Sequence, residues 1–259
     1  MVKGLYTAYT GMINEQNRMD IMTNNLANAS TVGYKKEGST SQSFDDVLTV
    51  KIKDQSVGMR NVQRLGVKNP GVKIGENYTG YSQGSFRITG NTYDLALSGE
   101  GFFAIEFTNK AGETDTKYTR AGQFTLNKDG YLVTEEGDYV LDTQNRRIRL
   151  NTLIDSSITD DGTIYQNGQA VAKIQVTDFE DYDYLEKYGE TYYQPIQGAK
   201  TIAAKAQVKS GYLEMANVQI VSEMVNLISI TRAYESNQKV VQTIDDTLDV
   251  AVNQIGRVQ

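Results

Sequence analysis

Four groupings of side chains in this sequence have residue types that could do chemistry, and each fails on spacing or on company. Glu135-Glu136 precedes Gly137, and Asp160-Asp161 precedes Gly162. Neighbouring side chains of a strand point to opposite faces, so adjacent carboxylates make a poor acid and base pair for glycoside hydrolysis. An acidic residue followed by glycine is a turn signature, and both pairs are expected in turns. The run from Asp178 to Glu186 is the most acidic in the chain. A calcium loop gathers several oxygens around a sharp turn, usually with a glycine inside it, and this run has none. Gly99-Glu100-Gly101 lacks the third glycine and the strand-to-helix setting of a phosphate loop. It reads as a tight turn ahead of a strand.

Absences narrow the chemistry further. The chain has no cysteine and no histidine. That removes thiolate nucleophiles, disulfides, the commonest general base and the commonest zinc ligands. The expectation is a protein with no catalytic residue, no metal site and no cofactor. The net charge of −6 argues against nucleic acid as a partner, because phosphate neutralisation needs clustered Lys and Arg. Basic residues cluster only at Lys35-Lys36 and Arg146-Arg147-Arg149, read as solvated loop or strand edges. Many of the seventeen tyrosines fall on predicted strands, where tyrosine is favoured anyway. No run approaches the ~20 apolar residues of a membrane span. The first twenty residues lack the apolar core and cleavage site of a secretory signal, so none is expected.

The elements that would position these residues follow from periodicity. A stripe alternating four and three runs through Leu213, Asn217, Ile220, Met224, Leu227, Thr231, Tyr234, Gln238, Val241, Asp245, Leu248, Val252 and Ile255. Such a repeat predicts one continuous helix with a coiled-coil seam. From Asn217, its expected N-cap, to Arg257 it would be about 60 Å long. Leu5, Tyr9, Met12, Gln16, Met19, Thr23 and Leu26 repeat the pattern near the N-terminus, over about residues 3–28. Polar seam residues weaken a coiled coil while narrowing its partners. Both helices are therefore expected to order only on assembly. The Asn24 to Asn28 run and Gly33 read as a helix stop.

Between the helices the period changes. Residues 34–77 read as an extended linker, apart from a short apolar element at Phe44, Val47, Leu48 and Val50. From Tyr78 onward, short strands and regular turns predict a barrel or sandwich within 78–209. Asn127 to Gly130 is one turn, and Asn167-Gly168 is a two-residue hairpin turn. The fold class is α+β, with N- and C-terminal helices forming a coiled-coil-like inner domain, and with a central all-β domain. Hydrophobic content of 39% suits an elongated shape.

Certain residues carry a resemblance. Leu5-Tyr6-Thr7-Ala8, Gly11-Met12, Asn24-Asn25-Leu26-Ala27-Asn28 and Gly33-Tyr34-Lys35 resemble the signature of bacterial flagellar rod and hook proteins. Gln83-Gly84-Ser85-Phe86, Thr89-Gly90-Asn91, Asp94 to Leu97 and Gly99 to Phe103 are similar to the β-domain of the same family. So are Tyr118 to Gly122 and Asp129 to Val133. Gly211-Tyr212-Leu213-Glu214, Ala216-Asn217-Val218, Glu223 to Ile228 and Arg232-Ala233-Tyr234-Glu235 resemble its tail.

The resemblance implies a structural subunit of the basal-body rod that polymerises through its terminal helices into a helical tube. In that frame 1–33 and 210–259 build the inner tube, 34–77 links, and 78–209 lies outside. The implied partners are copies of itself, other rod and hook proteins, and the flagellar type III export apparatus, with no nucleic acid. The implied location is the basal body, outside the cytoplasm. Length and the central motifs point to the distal-rod or the sister proximal-rod type, the distal type being favoured; the tail after Lys239 leans toward the proximal one. Outside the family, the alternative is a secreted β-domain that binds glycan or peptidoglycan. The interface residues expected on the seams are Leu5, Tyr9, Met12, Met19, Leu26, Ile220, Met224, Leu227, Tyr234, Val241 and Leu248. The Asn24 to Asn28 amides are expected either to end the helix or to hydrogen-bond between subunits.

Overall fold

The computed structural model of the chain describes residues 2–52, 62–109 and 112–253. A helix stands at each end with strands between them, as the α+β reading expects. The chain divides into two compact units. One gathers 1–26, 37–80 and 220–259, and the other 27–36 and 81–219.

In the first unit, α1 (Val2–Ala27) and α2 (Ile220–Asn253) run antiparallel. Gly4 faces Ile244, Gly11 faces Asn237, and Met19 meets Thr231. Both helices are continuous over these ranges. The 34 residues of α2 make it about 50 Å long. Ile255 and Arg257 lie outside the described residues.

The segment read as a linker is paired strand. β1 (Glu37–Ser43) is antiparallel to β4 (Val72–Thr79), and β2 (Val47–Ile52) to β3 (Val62–Lys68). Periodicity missed β1 because its sequence, EGSTSQS, has no apolar alternation. Side chains of α1 hold it instead. Asn25 accepts the Glu37 N–H at 2.9 Å and donates to the Glu37 carbonyl at 2.7 Å. Asn14 exchanges hydrogen bonds with the Ser41 hydroxyl. Across the ladder Tyr78 lies over Gly38, where a Cβ would sit 2.5 Å from the ring.

The second unit is built around the run Phe102-Phe103-Ala104-Ile105, all fully buried. Period two sends Phe103 into one cluster, with Leu95, Leu97 and Phe124, and Phe102 and Ala104 into another, with Tyr118 and Phe179. A strand apolar at every position is buried on both faces. With β5 (Phe86–Ile88) and β6 (Leu95–Ser98) before it, this strand is β7 (Phe102–Thr108). It pairs with β8 (Thr114–Thr119) on one side. On the other side follow β11 (Tyr139–Val140), β10 (Leu132–Thr134) and β9 (Phe124–Leu126) of a nine-stranded sheet. The Asn167-Gly168 hairpin forms as read, with both residues at positive φ and Gln166 opposite Gln169.

Candidate assembly interface

The seam that α2 turns inward differs by half from the one read in the sequence. Its less exposed positions include Leu227, Ile230, Tyr234, Asn237, Val241, Ile244, Leu248 and Ala251, again alternating three and four, with Thr231 beside them. Leu227, Thr231, Tyr234, Val241 and Leu248 of the expected seam are turned inward, whereas Gln238, Asp245 and Val252 are exposed. Ile230, Asn237 and Ile244 take the companion positions because α1 leaves room for them. Gly4 and Gly11 are seven residues apart, as are Ile244 and Asn237 opposite them. A Cβ at Gly11 would stand 2.9 Å from the Asn237 amide nitrogen. Glycine at heptad spacing was the signal in the sequence that could have found this register.

On α1, Leu5, Met12, Met19 and Leu26 are half-buried, while Tyr9 is exposed. Tyr6, Tyr9 and Ile13 form one outward stripe, at 62%, 53% and 40% exposure. At the start of α2, Ile220, Val221, Met224, Val225 and Ile228 form another, with Val221 at 76%. Helical neighbours at three and four residues share a face, so these are continuous apolar surfaces and not scattered side chains. Of the tail motif, Arg232 and Glu235 are exposed, and Ala233 and Tyr234 half-buried. The Asn25 amide binds Glu37 of its own chain, and the Asn28 carbonyl accepts the Thr31 N–H at 3.1 Å. Those two groups act within the subunit.

The second unit holds a buried ionic centre that the sequence reading missed. Lys35, read as solvated, is 1% exposed, and its Nζ lies 2.6 Å from Glu214 Oε1. Arg120 pairs with the other oxygen at 3.2 Å. The Gly84 N–H donates to Glu214 Oε1 at 2.9 Å, and Lys35 Nζ donates to the Ser82 carbonyl at 2.8 Å. Burial pushes the Lys35 ammonium below its usual range, with Glu214 opposing that shift. Gly33 sits beside this centre at φ 71°, donating to the Glu214 carbonyl at 2.8 Å. A Cβ there would meet the Ala121 nitrogen at 2.3 Å, so only glycine fits. Asn217 is not the N-cap of α2. Its amide donates to the carbonyl and hydroxyl of Ser82 and accepts the Lys36 N–H at 2.7 Å.

The groupings that suggested chemistry occupy turns or make structural contacts. Glu135-Glu136 and Asp160-Asp161 lie in turns, and Asp161 pairs with Lys173 at 2.8 Å on the surface. Asp178 accepts the Tyr182 hydroxyl at 2.8 Å, and burial with that contact raises the phenol's pKa. Among the described residues no cluster of three or more acidic side chains is placed to hold a metal ion. An open, polar recess of about 490 Å³ is lined by Arg87, Glu135, Glu136, Glu190 and neutral neighbours. No described helix is long and apolar enough to cross a membrane.

Three family profiles match the chain in order. Residues 5–35 match "Flagella basal body rod protein", residues 96–168 "Flagellar hook protein FlgE/F/G D1 domain", and residues 209–255 "Flagellar basal body rod FlgEFG protein C-terminal". The chain is 34% identical to the flagellar basal-body rod protein FlgG of Bacillus subtilis, covering 98% of this chain and 99% of that one. It is 32% identical to the flagellar basal-body rod protein FlgF of Caulobacter vibrioides, with all of both chains covered. It is also 30% identical to the flagellar hook-basal body complex protein FlhO of Bacillus subtilis, again over all of both chains.

Proposed function

The chain belongs to the family of flagellar basal-body rod proteins, and from that premise we propose that it is a non-catalytic subunit polymerising through its terminal helices into the tube of the distal rod. The observation that carries this reading is the pair of apolar stripes left outside the helix pair. Burying each such side chain contributes on the order of 1.5–3 kcal/mol, enough for a repeated contact to drive assembly. Heterologous contacts that repeat without closing build a helical tube. Tyr9, Ile220 and Met224 are the expected interface residues that face outward. Leu5, Met12, Met19, Leu26, Leu227, Tyr234, Val241 and Leu248 act by holding the two helices as one presenting element. Its partners are other rod and hook-basal body components, and it reaches them through the flagellar type III export apparatus.

A proximal-rod place is the second reading. The alignment with the Caulobacter FlgF spans 260 positions for this 259-residue chain, whereas that with the Bacillus FlgG needs 272. Locating the subunit in isolated basal bodies separates the two. Assembly itself is tested with Met224→Asp, because Met224 is 47% exposed and its loss spares the fold. Leu227 is half-buried within the chain, so a charge there disturbs helix packing as well. The expected result is unchanged circular dichroism with loss of incorporation into rods. Normal rods built from Met224→Asp chains contradict the reading.

A further inference from the structure

One turn of the β unit places a side-chain amide beside a backbone nitrogen and ties down neither. β12 (Ser156–Ile158), β13 (Thr163–Gln166) and β14 (Gln169–Lys173) form a three-stranded antiparallel sheet. Asn167 and Gly168 cross from β13 to β14 at φ 51° and 75°, and both are exposed. Among the described residues, none accepts the Gly168 N–H and none hydrogen-bonds the Asn167 carboxamide. A Cβ built on Gly168 has nothing within 4 Å. The nitrogen is therefore open to base, and the backbone around it has space to turn. Glycine leaves the left-handed region at little cost, so that rotation is not opposed locally.

An acidic residue precedes glycine at Asp129-Gly130 and Asp161-Gly162, and both of those places are closed. The Gly130 N–H donates to the Asn127 carbonyl at 3.0 Å, and the Gly162 N–H to the Thr159 carbonyl at 2.8 Å. Both glycines are buried. A Cβ on Gly130 would stand 2.3 Å from the Leu150 carbonyl oxygen, so the backbone there has no room to rearrange. Lys173 holds the Asp161 carboxylate at 2.8 Å.

We propose that Asn167 is a site of spontaneous covalent modification, deamidating through the nitrogen of Gly168. That nitrogen loses its proton to base and bonds to Asn167 Cγ. The Cγ–Nδ2 bond breaks, and Nδ2 leaves as ammonia with a proton returned by solvent. Water then opens the five-membered imide at either carbonyl. One opening leaves aspartate, and the other leaves isoaspartate, whose backbone runs through Cβ. Water is the only co-reactant, and nothing is oxidised or reduced.

The two products differ in their effect on the sheet. Aspartate tolerates the left-handed region as asparagine does, so the turn survives with one more negative charge. Isoaspartate inserts a backbone atom into a two-residue loop whose length sets the register of Gln166 against Gln169. The distortion falls on Gln166, whose amide donates to the Asn151 carbonyl at 2.9 Å and to the Ser156 hydroxyl at 3.0 Å. The isoaspartyl product thus loosens β13 from both of its neighbours.

The full chain, held folded at mildly alkaline and at mildly acidic pH and also unfolded in urea, is digested and mapped by mass spectrometry with isoaspartate labelling. In the folded chain Asn167 is expected to lose its amide ahead of every other asparagine, at a rate rising with hydroxide, and to give both products. Asp129 and Asp161 of the folded chain are expected to give no isoaspartate at either pH. An Asn167 that survives in the folded chain, whether or not urea exposes it, overturns the proposal. So does isoaspartate at Asp129 or Asp161 keeping pace with it, because the open turn then confers nothing. Gly168→Ala is expected to slow the loss, in urea as well as in the folded chain. An unchanged rate in both excludes the residue-168 nitrogen as the attacking group.

Discussion

The β-rich unit and the helix-bearing unit solve opposite problems with the same residue types. In the first, Phe102, Phe103, Leu95, Leu97 and Ile105 are fully buried, and even its charged centre at Glu214 is closed to water. In the second, Ala8 and Ile230 are the buried apolar side chains among the described residues, while Tyr6, Val221, Val225 and Val67 are more than half exposed. A unit that hides its apolar surface gains stability alone. One that leaves it outside gains stability only with a partner. The proposed assembly rests on that division: the β unit is self-sufficient, and the outer faces of the helices are left for neighbours.

The comparison breaks most visibly at Glu214. Glu214→Gln leaves Lys35 and Arg120 as buried cations without their shared counter-charge, and a cost of about 3–5 kcal/mol is expected in chemical denaturation. Burial lowers the pKa of Lys35 in the folded chain from the ordinary 10.5. Above that lowered value the unfolded chain binds more protons, so the stability of the variant rises with pH up to about 10.5. A deficit that stays flat through the alkaline range shows that Lys35 is not the uncompensated charge.

Gly11→Leu tests the helix pair, because its side chain must displace Asn237. The expected cost is about 1–3 kcal/mol, read as a lower midpoint for the helical signal while near-ultraviolet signals of the β core keep theirs. A common shift of both midpoints shows that the units unfold together. Asn25→Ala leaves the Glu37 N–H and carbonyl without their amide, for about 1–2 kcal/mol. Protection of β1 amides from hydrogen exchange is the sharper reading, and unchanged protection means that α1 does not hold β1.

The smallest effect is expected at the surface of the β unit, where Arg147 holds Glu106 in a two-pronged ion pair at 2.6 and 3.0 Å. That hydrogen bonding lowers the Glu106 pKa from 4.5. Its stabilisation is present above pH 4.5 and is lost as pH falls through the lower folded value. Glu106→Gln should cost under about 1 kcal/mol at neutral pH, since Arg147 is substantially exposed. The difference from the native chain should close on acidification, and a gap that persists however far the pH is lowered excludes the ion pair as its source.

Legibility in the sequence tracked how local the cause was. The Asn167-Gly168 hairpin and the turn after Asn127 formed as read, since both depend on neighbouring residues. The helical nature of the ends was legible from the four-three repeat. Half of the seam read in α2 was misplaced, and at its centre this is because Gln238 and Asp245 keep the same period as Asn237 and Ile244. Apolar Ile244 beside charged Asp245 was a signal that could have chosen between them. Lys35 was read as solvated because its counter-ion is 179 residues away. Strand β1 was missed because its ladder is held by helix side chains rather than by its own apolar residues.

The sequence alone determined the order of elements, the turns, the absence of histidine and cysteine chemistry, and the family motifs. Each is a property of residues close in the chain or of composition. The tertiary structure alone decided which stripe of each helix is covered, which charges meet at Glu214, and where Asn217 spends its amide. Those outcomes depend on packing between segments more than ninety residues apart, and short-range periodicity carries no term for that.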